Sequence, residues 1–86
     1  MENKIRVRSN NKISFILYHL PYISYKLEMV DNIVYFIFNR DEIEDLLMDF
    51  HDMLDDKMSN YVELNKWLEI QRMVRDIITI YKKEKM

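Results

Sequence analysis

Four aspartates at three- and four-residue steps form the most suggestive pattern in the chain. Asp45, Asp49, Asp52 and Asp56 fall on one side of any helix built over residues 41–57. Carboxylates spaced in this way imitate the charge repeat of a phosphate backbone and suit capture of a basic, nucleic-acid-handling surface. The plainer alternative is a solvated helix face that only confers solubility. A second set places cations beside a ring: Arg6, Arg8, Lys26 and Tyr35 on strands, with Arg72 and Arg75 on the last helix. Small sheets use that combination to stack bases and follow phosphates, although no RNP aromatic motif accompanies it here. The third set is apolar. Trp67, Ile70, Met73, Ile77 and Ile80 make an oligomer surface suited to a two-fold homodimer, unless the first helix and the sheet cover them within one molecule.

Chemistry of other kinds has little to work with. There is no cysteine, so no thiolate nucleophile, thiolate metal site or disulfide, and no glycine, so none of the phosphate-cradling loops or nucleophile elbows that many enzyme sites need. Ser9, Ser14, Ser24 and Ser59 stand in no nucleophile motif. His19 and His51 are far apart, and His51 with Asp52 and Asp55 has no recognised ligand spacing. The expectation is a binding protein rather than an enzyme, with no metal and no cofactor.

The elements that position these residues follow from periodicity and punctuation. Ile5 and Val7 alternating with Lys4, Arg6 and Arg8 read as a short N-terminal edge strand. Ser9, Asn10 and Asn11 supply an N-cap for a helix over about 12–20, ended by Pro21, with Ile13, Ile16, Leu17 and Leu20 on one face. Strands over 23–30 and 33–38 flank Asp31-Asn32, two residues able to take up the left-handed conformation of a tight hairpin turn. That turn pairs Met29 with Val34, Leu27 with Phe36 and Tyr25 with Phe38 on an apolar face. Val30–Ile33, Glu28–Tyr35 and Lys26–Ile37 share the mixed opposite face.

Asn39 with Glu42, and Asn60 with Glu63, have the spacing of capping boxes that open helices over about 41–57 and 61–83. Apolar residues of the last helix cover roughly 240° of its wheel, a pattern that asks for more than one neighbour. The result is a single α+β domain over residues 1–86, of order β-α-β-β-α-α. A right-handed crossover sets the first strand antiparallel beside the third.

Charge is segregated along the chain. Residues 1–40 carry six cations against three anions, residues 41–63 nine acids against Lys57 alone, and residues 64–86 six cations against three anions, for a net charge of -2. The longest apolar run, Ile33 to Phe38, is far short of the roughly 20 residues of a membrane span, and the first residues lack a signal-peptide pattern, so a cytoplasmic protein is expected.

The order of segments also resembles something known. A helix just after a short strand (Lys12 to Leu20), a Tyr-Lys-Leu strand (Tyr25 to Leu27), an aromatic-rich strand (Val34 to Phe38) entering an acidic helix (Asp41 to Phe50) and a basic final helix are similar to a family of small, functionally unassigned bacteriophage and mobile-element proteins of β-α-β-β-α type. The resemblance implies a phage-type origin and residence in a host cytoplasm. It carries no site residues. Taken with the charge pattern, the reading is a small phage or mobile-element interaction protein that binds and modulates or inhibits a host protein through Asp45, Asp49, Asp52 and Asp56. The alternative is a DNA- or RNA-binding module using the basic set.

Overall fold

The computed structural model describes residues 3–55 and 63–85. Six elements follow in order: β1 (Lys4–Val7), α1 (Asn10–His19), β2 (Lys26–Val30), β3 (Ile33–Asn39), α2 (Arg40–Asp55) and α3 (Leu64–Lys85). The fold is α+β, with three helices on a three-stranded antiparallel sheet of order β1-β3-β2.

The hairpin register is the one its turn dictates. Asp31 and Asn32 both have positive φ, 53° and 65°, and the ladder pairs Val30 with Ile33, Met29 with Val34 and Leu27 with Phe36. β1 lies antiparallel on the far side of β3, with Val7 opposite Phe36 and Ile5 opposite Phe38. Tyr25 precedes the ladder, yet its ring still lies 5.0 Å from that of Phe36 and 5.9 Å from that of Phe38.

Alternate residues of β3 are buried, and Val34, Phe36 and Phe38 form the floor of the core. Ile13, Ile16 and Leu17 of α1, Ile43 of α2 and Val74 of α3 pack onto it. A smaller aromatic cluster of Phe15, Phe50 and Trp67 closes the region where the three helices meet. Phe15 and Phe50 meet edge-on at 5.6 Å, a favoured ring geometry.

The helix termini depart from the sequence reading in instructive ways. α1 begins at Asn10 rather than Lys12 because Ser9 is the cap, its Oγ accepting from the Lys12 amide at 3.3 Å. α3 begins at Leu64, and Glu63 itself supplies the cap: its carboxylate oxygens accept from the Asn65 and Lys66 amides at 3.1 and 2.9 Å. Asn60 and Tyr61, expected at this start, lie outside the described residues, as does Lys57 at the expected end of α2. α3 has more than one neighbour, as its broad apolar side requires, packing against α1 and reaching β3. Buried Ile13, Ser14, Phe15, Ile16 and Leu17 show that α1 is enclosed almost all round, whereas α3, more than twice as long, leaves Leu64, Leu68, Met73 and Ile80 exposed.

α1 and α3 run antiparallel, since Asn11 accepts from Gln71 Nε2 at 2.7 Å and Tyr18 Oη accepts from the Glu63 amide at 2.7 Å. Ser14 lies between these two ties on the same face of α1, fully buried, and its Oγ has no hydrogen-bond partner among the described residues. An unsatisfied buried hydroxyl is costly, and alanine is the better helix former. Ser14→Ala is therefore expected to stabilise by about 1 kcal/mol and to raise the melting temperature by roughly 4–8 °C. A lower melting temperature would show that the hydroxyl contributes a bond of its own.

Candidate partner-binding site

α2 starts one residue after β3 ends and carries its acids away from the core, because Ile43 and Phe50 define the buried side. Asp41, Glu42, Glu44, Asp45 and Asp49 are all exposed. Among the described residues none of them makes an ion pair. Asp41 and Glu42 stand in the first turn, where the helix dipole favours them. Asp52 continues the series on α2; its side chain and Asp56 lie outside the described residues. Of the four aspartates singled out by spacing, Asp45 and Asp49 are thus placed on an exposed acidic flank.

That flank borders a hollow not foreseen from the sequence. After α1 the chain turns through Leu20, Pro21, Tyr22 and Ile23, and with His19 and Glu42 these residues line a surface cavity of about 420 Å³. Tyr22 is 97% exposed. Glu42, Asp45 and Asp49 follow at i, i+3 and i+7, so they share one side of α2. The Pro21-Tyr22 pair marks a turn in the sequence but not the hollow, since the sixth lining residue, Glu42, comes from another element.

His19 links the cavity to the rest of the acidic flank. Its ring packs edge-on against Phe15 at 4.6 Å and Tyr18 at 5.0 Å. Partial shielding of its ring from water holds its pKa below the ordinary 6.5; the negative charge of Asp49 opposes that shift, and the positive charge of Lys66 adds to it. Lys66 also lies over the Tyr18 ring, 4.6 Å from its centroid.

The unfolded chain takes up a proton near pH 6.5 that folded His19 resists, so its contribution is complete above that pH and is lost as pH falls below it. Urea midpoints measured from pH 7 down to pH 5 should decline, and His19→Gln should flatten part of the decline. An NMR titration placing the His19 pKa above 6.5 would reverse the sign.

The basic set is divided by the fold. Arg6 and Lys26 flank Ile37 on neighbouring strands, and Tyr35 shares this outer face of the sheet. Arg6 is paired there with Glu28 at 3.0 Å. Arg8 follows β1 and is exposed, whereas Arg72 and Arg75 are exposed on α3, in the helical layer on the opposite side of the sheet. The six residues do not form one surface.

The apolar set is divided as well. Trp67 is 2% exposed and belongs to the aromatic cluster, while Ile70 and Ile77 pack against the main core. Of the expected oligomer surface only Met73 and Ile80 remain exposed, at 40% and 57%. Among the described residues, no group of three or more histidine or acidic side chains could hold a metal ion, and no helix is long and apolar enough to cross a membrane. No family model, curated protein or solved structure matches the chain, so the reading of this site rests on its own residues.

Proposed function

We propose that the chain is a small interaction protein, of the kind phage and mobile-element genes encode, that binds and modulates a host protein through the acidic flank of α2. It acts in the host cytoplasm by occupying a basic, nucleic-acid-handling surface rather than by catalysis. The observation that supports this reading is the run of exposed carboxylates from Asp41 to Asp49 with no compensating cation paired to it among the described residues. Exposed charge of one sign steers a partner of the other sign and selects against like-charged ones.

Affinity capture from host lysate with the native chain and with Asp45, Asp49, Asp52 and Asp56 all changed to lysine tests it. The expected result is a partner held by the native chain, released by salt and lost on reversal. A partner retained equally by the reversed chain sinks the acidic-surface reading.

The second reading, a nucleic-acid-binding module, has Arg6, Lys26 and Tyr35 together on the outer sheet face in its favour. Arg6 is already neutralised by Glu28, and Arg72 and Arg75 lie elsewhere. A labelled oligonucleotide that binds at low salt and is released by added salt would restore it.

A further inference from the structure

The geometry points to a specific chemistry for the partner: the hollow between the α1–β2 turn and α2 receives one large apolar side chain of a cationic segment, whose lysines or arginines pair with Glu42, Asp45 and Asp49. This deepens the acidic-flank reading and rests on it.

The hollow, about 420 Å³, lies open to solvent, with Tyr22 97% exposed at its edge, so it seats a side chain against its walls rather than enclosing it. Its walls are Leu20, Pro21, Tyr22 and Ile23, and among the described residues its ionisable groups besides the Tyr22 phenol are His19 and Glu42. A leucine or aromatic side chain entering it removes apolar surface on both sides from water. Charge selects what surrounds that anchor. Glu42 stands on the rim, and Asp45 and Asp49 continue from it along roughly 10 Å of helix. Lys66, the cation that acts on His19, already lies over Tyr18. An anionic or neutral apolar segment meets repulsion or no pairing here, while a basic amphipathic segment satisfies both the hollow and its rim.

Two synthetic peptides of equal length and charge, one an amphipathic Lys/Leu sequence and the other its Lys/Ser counterpart, separate the contributions when titrated into the full chain and followed by amide NMR shifts. The Lys/Leu peptide should bind at least about tenfold more tightly, corresponding to about 1.4 kcal/mol, with shifts at residues 20–23 and 42–49. Tyr22→Ser should erase the preference; because Tyr22 is 97% exposed, the fold does not depend on it. Changing Glu42, Asp45 and Asp49 to lysine should abolish binding of both peptides. Equal binding of the two peptides, or a preference unchanged by Tyr22→Ser, overturns the anchor site and leaves the acidic flank standing. A preference that survives the triple reversal overturns the cationic partner, and the absence of binding at low salt overturns both readings.

Discussion

Phe36→Ala is expected to cost about 3–5 kcal/mol, the usual loss for an aromatic residue truncated in a close-packed core. A chain of 86 residues holds roughly 4–13 kcal/mol in all, so the variant should melt roughly 15–30 °C lower or fail to fold. Phe36 is fully buried at the middle of the central strand, with Val7 and Leu27 opposite it on the two neighbours. Its ring lies 5.0 Å from that of Tyr25 and 6.2 Å from that of Phe38. Truncation therefore opens a void touching all three strands, and β3, which pairs on both sides, has little freedom to collapse into it. Urea denaturation followed by circular dichroism measures the change. A loss below about 1 kcal/mol would show that the sheet's inner face relaxes far more than its packing implies.

Trp67→Ala should produce a loss of similar size, about 3–5 kcal/mol, for a different reason. Trp67 holds the three helices together: it is buried with Phe15 of α1 and Phe50 of α2, with Tyr18 and Leu46 packed around them. The substitution also separates two accounts of the apolar side of α3. If Trp67 served an oligomer surface, its removal would lower the mass of the particle in solution while the monomer kept its stability. The fold places it inside one chain, so thermal and urea stability should drop with no mass change caused by the lost side chain itself. Self-association, which we propose only for the exposed remainder of the set, is probed instead by Met73→Ser with Ile80→Ser. Sedimentation should then show a dimer in the native chain and a monomer in this variant; a native chain that is monomeric at all concentrations removes the homodimer.

The hairpin was legible because Asp31-Asn32 fixes its register locally, and β1 beside β3 fits the expected right-handed crossover. Both are consequences of backbone geometry that any neighbours would leave intact. The start of α3 was not legible in the same way. Asn60 with Glu63 has the spacing of a capping box, but Glu63 accepts from the next turn itself while its own amide donates to Tyr18 on α1, a tie between residues distant in sequence. Trp67, Ile70 and Ile77 show a related limit: a helical wheel says that a side is apolar without saying which part of it another element covers. The exposure of Asp45 and Asp49 was readable from their spacing. The hollow beside them was not, since it exists only where the turn after α1 meets the first turn of α2.

The strand order β1-β3-β2 also implies a sequence of events as the chain folds. Val30 meets Ile33 across a two-residue turn, a closure that costs little chain entropy, whereas Val7 reaches Phe36 only after α1 and β2 have been looped out between them. Since non-local pairing must offset that larger entropy before it stabilises anything, the β2–β3 hairpin is expected to assemble first and β1 to dock onto its open edge later. Changes in the Asp31-Asn32 turn accordingly act on the rate of folding, and changes in β1 on the rate of unfolding.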